Sequence, residues 1–376
     1  MKTKIQTLTI GCFRGFRHLQ ISGLGRVNLI TGRNNTGKSS VLEALRILAS
    51  GGSPDVLHDI LRYREEYFSE TDKSERQLST EGIFFFSTLF NGFPEFSDRL
   101  EPIEIAITEG SKPMRFTIET AWFSEEREQD GARRLVRKEK EFFDVRETVP
   151  GLIITVDGRQ WKLTMDDMRY YRSYRSRWIR PESAGRMGLS CVFVSPYGGE
   201  TTNTLGAMWD KIALSDREND VVEALRIIDP EISAVSMVGA ERPGEQRMAI
   251  VRADNLPRPV PLRSFGDGLN RLFGIILSLV NSKDGLLLVD EFENGMHHTV
   301  QVDAWRTVFR LAQKLDIQVF ATSHSWDCIE AFQKAASETP EEGALVRLSR
   351  KGEDIVATIF SEDELAVVAR ERIEVR

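Results

Sequence analysis

Apolar and polar positions along this chain follow two periods, and the switches between them mark its elements. Leu8-Thr9-Ile10 alternates as a strand, and Val27-Asn28-Leu29-Ile30-Thr31 reads as an apolar strand that stops at Gly32. The stretch from Ser40 to Leu48 then reads as a helix. Ile83–Gly92 is expected to lead into antiparallel structure. Next, 103–108, 114–123, 135–143, 152–156 and 161–165 predict the strands of a half-exposed meander, with Asp157-Gly158 as one of its turns. Helical and strand patterns alternate afterwards. Helices are predicted over 272–280, 299–314, 326–337 and 362–371, and strands over 317–321, 344–350 and 354–360. Leu286-Leu287-Leu288-Val289 is wholly apolar, as a central strand of a parallel sheet must be. The pattern predicts an α/β protein with a central, mostly parallel sheet flanked by helices and an antiparallel β subdomain. Residues 1–105 and 191–376 are expected as two lobes, with 106–190 inserted between them.

Composition narrows the class. A length of 376 residues suits two to three folding units, and 28% charged against 41% hydrophobic residues indicates a soluble globular chain. The net charge of −7 removes any global polycation, so nucleic-acid binding would have to be local. No apolar run approaches the roughly 20 residues that span a bilayer, so no membrane role is expected. Met1-Lys2-Thr3-Lys4 leads straight into a strand without a signal-peptide core. Cys12, Cys191 and Cys328 lack zinc-like spacing and suit small buried thiols in a reducing cytoplasm. There is no heptad array, internal repeat or low-complexity tract.

The chemistry begins at Gly32-Arg33-Asn34-Asn35-Thr36-Gly37-Lys38-Ser39, which lies between an apolar strand and a helix starting at Ser40. That context makes it a phosphate-binding loop whose N–H groups and helix N-terminus face a nucleoside triphosphate. Lys38 would neutralise the β- and γ-phosphate oxygens and Ser39 would hold Mg²⁺. The apolar strand 286–289 ends in Asp290-Glu291, at the strand end where ligands sit in open α/β sheets. Asp290 would reach Mg²⁺ through water, and Glu291 would orient and polarise the attacking water. One helix and one strand later, Thr322-Ser323-His324-Ser325 places His324 where it can hydrogen-bond the γ-phosphate.

These motifs, with the turn Glu293-Asn294-Gly295-Met296-His297 and the opening Phe13-Arg14-Gly15-Phe16, resemble an ABC-type ATPase. The resemblance is to the soluble branch that includes RecF, SMC proteins and the OLD-like ATPases, and it covers roughly residues 1–105 and 190–335. It implies the ABC-ATPase form of the P-loop NTPase fold. It further implies that Ser264, Gly266, Asp267 and Gly268 form the signature loop that completes a partner's nucleotide site. Gly266 stands where the usual signature has serine, with Ser264 two residues earlier, so the atom that touches phosphate stays open. The implied assembly is a head-to-tail homodimer, or a larger one, closed by ATP and released by slow hydrolysis. No glutamine stands in Ile83–Gly92, so no glutamine loop is assigned.

The segment Arg169–Arg180 holds five arginines in twelve positions together with Tyr170, Tyr171 and Tyr174. It reads as a nucleic-acid contact, as a surface helix whose arginines pair with nearby acids, or as a partner surface. The OLD-like resemblance also raises a Toprim nuclease domain, and the residues after His324 are too few to form one. The expected function is therefore an ATPase switch acting on a separately encoded effector such as a nuclease, in an antiphage-defence or toxin–antitoxin-like system. A RecF-like DNA-repair clamp and a non-hydrolysing nucleotide-gated scaffold are the alternatives.

Overall fold

A chain that alternates apolar and polar residues on both sides of Arg14-Gly15 folds back on itself. β1 (Thr7–Phe13) pairs antiparallel with β2 (Phe16–Ser22), and Leu8, Ile10, Phe13, Phe16, Leu19 and Ile21 are buried. β3 (Val27–Gly32) is buried at every position and delivers the loop that precedes α1 (Lys38–Ser50). α2 (Pro54–Tyr63) is an element the pattern reading lacks. Pro54 in its first turn and Asp55 beside it are its start signals. The computed structural model describes residues 3–66, 86–97, 99–109, 112–127, 133–138, 148–164, 167, 189–196, 202–239, 247–339, 342–360 and 364. Arg169–Arg180, Ile83–Phe85, the end of the expected strand 135–143 and all but Glu364 of the expected helix 362–371 lie outside the described residues.

The meander is built onto the N-terminal hairpin. β4 (Ile103–Glu109) pairs with β1, and β5 (Lys112–Arg127), β7 (Val149–Val156) and β8 (Arg159–Thr164) extend the sheet antiparallel. β5 outruns the apolar stretch expected at 114–123 because β6 (Arg133–Lys138) pairs with its polar far end, from Trp122 to Arg127. A second sheet runs in the order β16 (Asp354–Phe360), β15 (Gly343–Lys351), β3, β14 (Gln318–Thr322), β13 (Leu286–Val289) and β9 (Cys191–Val194). Neighbours from β15 to β9 pair parallel, whereas β16 pairs antiparallel with β15. A three-stranded antiparallel sheet of β10 (Ile232–Val238), β11 (Met248–Ala253) and β12 (Val260–Pro261) completes an α/β fold whose sheets are mixed.

The apolar run of β13 is explained by two-sided burial. Leu286 and Leu288 join the core that holds α1, α2 and the hairpin. Leu287 and Val289 join the core formed with α5 (Asp267–Asn281), α6 (His298–Lys314) and α7 (Trp326–Ala336). A strand with a period of two that serves two cores has no polar face to show. Two further helices, α3 (Thr202–Asp210) and α4 (Asp216–Leu225), contribute Leu205, Trp209, Val221 and Leu225 to the second core. Among the described residues no helix is long and apolar enough to cross a membrane. The three cysteines are free. Burial first, then a hydrogen bond to Glu101, pushes the Cys12 thiol up to about 11, and burial pushes Cys191 up to about 12 against the opposing charge of Arg46. Thiols held protonated in this way are poor nucleophiles.

The hairpin turn is fastened to the phosphate-loop helix by buried charges. Arg14 is 3% exposed and donates to Glu43 of α1 at 3.2 Å, to both Glu66 carboxylate oxygens at 2.7 Å and to the Thr88 carbonyl at 3.1 Å. Arg64 donates to the other oxygen of Glu43 at 2.7 Å. Arg14→Ala strands carboxylates that are buried as partners, so it should destabilise the protein by about 3 kcal/mol in thermal or denaturant unfolding. A loss below about 1 kcal/mol would place this cluster with ordinary surface pairs.

Candidate functional site

The phosphate loop is shaped by close packing at its glycines. Gly32 has φ +145, and a Cβ there would strike the Leu348 carbonyl oxygen and lie 2.8 Å from Thr36 Oγ1. Gly37 has φ +86, and a Cβ there would lie 2.5 Å from Phe16 Cζ. The Phe-Arg-Gly-Phe turn therefore supports the loop twice, with the Phe16 ring under Gly37 and the Arg14 guanidinium on Glu43. Left-handed backbone at Asn35 (φ 66) and Gly37 curls the chain just before α1, a form that presents N–H groups to anions. Thr36 is buried and its hydroxyl donates to the Arg33 carbonyl at 2.8 Å, while Arg33, Asn34 and Asn35 are exposed. Lys38 Nζ folds back over the loop and donates to the carbonyls of Gly32 at 2.8 Å and Arg33 at 3.2 Å. Burial lowers the Lys38 ammonium from its ordinary range, opposed by the charges of Asp290, Glu291 and Glu293. Ser40 is buried, and its hydroxyl accepts a long 3.5 Å hydrogen bond from Arg64.

Three strand ends converge on this loop. Ser39 at the start of α1 donates to Asp290 Oδ1 at 3.1 Å, and Thr322 at the end of β14 donates to the same oxygen at 2.5 Å. The Glu291 N–H donates to Thr322 Oγ1 at 2.8 Å. Glu291 itself has φ +50, strained backbone for a residue with a side chain. Phe292 follows it and stacks on Trp305 of α6, with ring centroids 3.8 Å apart, which anchors the turn in the core. His324 Nδ1 lies 3.9 Å from Glu291 Oε1 and 3.5 Å from Glu293 Oε1. A serine hydroxyl and an aspartate oxygen at 3.1 Å form the hard oxygen set that suits Mg²⁺.

Two residues at the centre of this arrangement, Glu293 and Arg271, carry no assigned role in the sequence reading. Glu293 accepts three hydrogen bonds at Oε1, from Ser323 Oγ at 2.8 Å and from the N–H groups of His324 and Ser325 at 3.2 Å. It thereby fixes the segment that carries His324. Arg271 on α5 donates to the carbonyls of Asp290 at 2.7 Å, Glu291 at 2.9 Å and Ser195. Burial pulls its guanidinium down to about 10, against the charges of Asp290, Glu293 and Glu291. Its signal was an arginine inside the apolar run Leu269–Val280.

The expected signature loop stands at the N-terminal end of α5. Ser264 lies in a single 3₁₀ turn (Leu262–Phe265) and Gly266, at φ +97, precedes the first residue of α5. Ser264, Gly266 and Asp267 are exposed, and a Cβ on Gly266 would meet nothing within 4 Å. Gly268 differs, because a Cβ there would lie 3.0 Å from the Gly295 carbonyl oxygen. Its small size thus serves packing inside its own chain.

Comparison with known proteins places this site in a family. The family described as "AAA domain, putative AbiEii toxin, Type IV TA system" matches residues 27–327, from the first residue of β3 to beyond His324. An ATP/GTP phosphatase of Helicobacter pylori is 22% identical over 359 residues, covering 89% of each chain. A DNA replication and repair protein RecF of Heliobacterium modesticaldum is 33% identical over 67 residues, or 17% of this chain and 18% of that protein. In fold, the chain is similar to the crystal structure of an SmcHead bound to the C-winged helix domain of ScpA. The TM-score is 0.51 at 11% identity, over 95% of this chain and 98% of that one. The chain belongs to that AAA-domain family and has the α/β P-loop fold that it shares with an SMC head.

Proposed function

We propose that this protein is an ATP-hydrolysing switch whose nucleotide is enclosed between two copies of the chain. The observation that carries the reading is the convergence of Lys38, Ser39, Asp290, Glu291 and His324 at the carboxyl ends of β3, β13 and β14. In this reading the loop from Gly32 to Ser40 cradles the phosphates. Lys38 exchanges its contacts with the Gly32 and Arg33 carbonyls for β- and γ-phosphate oxygens. Ser39 and Asp290 hold Mg²⁺, which when bound neutralises charge on those phosphates. Glu291 orients the attacking water and takes up its proton, while His324 hydrogen-bonds the γ-phosphate from the neighbouring strand end. Residues 1–105 and 191–376 act as two lobes of one ATPase around the insert 106–190, with β3 of the first lobe lying between β14 and β15 of the second.

The second copy supplies Ser264, Gly266 and Asp267 to the γ-phosphate. Their exposure and the open space at Gly266 support that role. In light scattering, a Glu291→Gln protein should pass from monomer to dimer on adding Mg-ATP, and the same protein with Asp267→Arg should bind nucleotide but stay monomeric. Monomers of both with nucleotide bound would remove the two-copy reading. The family's description names a Type IV TA system, which supports a toxin–antitoxin-like role. On that reading the chain is the regulatory ATPase of a separately encoded effector in phage defence, working in the cytoplasm. Retention of a neighbouring gene's product on the ATP-bound dimer tests that assignment. The similarity to RecF supports a second reading, a clamp on DNA. That reading requires DNA-stimulated turnover that falls steeply with salt.

A further inference from the structure

Glu291 is held by its backbone from two sides. Its N–H donates to Thr322 Oγ1 at 2.8 Å and its carbonyl accepts from Arg271 at 2.9 Å. Between these two bonds the residue keeps φ +50, a conformation that its own side chain disfavours. Arg271 spans the same turn more widely than Thr322, because it also holds the carbonyls of Asp290 at 2.7 Å and of Ser195 beyond β9. A guanidinium that is 3% exposed, whose terminal N–H groups meet carbonyls rather than a carboxylate and whose Nε is left without a hydrogen-bond partner, is a costly choice for packing alone. Its planar fork, however, holds several carbonyls in one fixed geometry, whereas a lysine ammonium is a compact point donor on a flexible stem.

We propose that Arg271 is the positioning residue for Glu291, holding the Asp290-Glu291 turn in its strained form so that the carboxylate faces the reacting water. The proposal rests on the reading of Glu291 as the water-orienting group. The test compares Arg271→Lys, Glu291→Gln and the double variant in single-turnover hydrolysis, with Mg-ATP affinity and thermal unfolding measured alongside. Arg271→Lys should slow hydrolysis by roughly 10- to 100-fold, as a small misplacement of a reacting group does, with affinity within about twofold of the parent. Residues that act as one unit are not additive, so the double variant should be no slower than Glu291→Gln alone. An equal further slowing in the double variant would show that Arg271 does not act through Glu291 and would overturn the proposal. Joint loss of affinity and melting temperature would reduce Arg271 to a structural role and overturn it as well. Arg271→Gln, which keeps a neutral donor, must give the same non-additive pattern if Arg271→Lys does not fold. Normal turnover of Glu291→Gln alone would instead remove the reading of Glu291, and the proposal with it.

Discussion

Glu291→Gln should lower ATP turnover by roughly two to three orders of magnitude while leaving Mg-ATP binding intact. The replacement is nearly isosteric, and the turn is anchored by groups it does not touch: the Glu291 N–H on Thr322, its carbonyl on Arg271, and Phe292 stacked on Trp305. What changes is the side chain, which is 42% exposed and free to meet a water molecule. Glutamine can still hydrogen-bond that water but cannot take its proton. Phosphate release and nucleotide titration on the same sample separate the two effects. Turnover within tenfold of the parent would assign the water to another group, with His324 the next to test.

Gly37→Ala should abolish nucleotide binding at concentrations that saturate the parent. The added Cβ would lie 2.5 Å from Phe16 Cζ, on backbone at φ +86. Overpacking and left-handed backbone together cost roughly 2–5 kcal/mol, and the loop is the softer partner against a ring buried in the core. The control is Gly158→Ala, where φ is +81 and nothing lies within 4 Å. That variant carries the backbone penalty alone and should keep full nucleotide affinity. Equal affinities for the two variants would mean that the loop tolerates displacement and that the Phe16 ring does not set its shape.

The parts legible in the sequence were those in which a few adjacent residues decide both structure and chemistry. The phosphate loop, the Asp290-Glu291 strand end and Thr322-Ser323-His324 are contiguous, and each sits at the end of a short apolar run. Arg271 and Glu293 are different. Each is one polar residue whose meaning depends on carbonyls or N–H groups brought in from other strand ends. The same holds for the Phe13-Arg14-Gly15-Phe16 turn, which the sequence marks but whose target, Gly37 and Glu43, only the packing reveals. β9 was missed because four residues, Cys191–Val194, are too few to show a period, and β13 supplies their hydrogen bonds. Strand β5 was cut short for a related reason, since its polar end is a strand only because β6 lies beside it.

The position of β3 between β14 and β15 also sets an order of events during synthesis. The loop-bearing strand is made well before its parallel neighbours, Val319–Thr322 and Gly343–Leu348. Even Ile5 waits for Gln318, whose side-chain amide both accepts from its N–H and donates to its carbonyl at 2.8 Å. A nascent chain that has not yet reached Gly343 therefore carries the complete phosphate-loop sequence without the full sheet that flanks it, because pairings this distant close late. Chains that end before those neighbours should therefore fail to hold ATP, because the loop lacks the strands that flank β3.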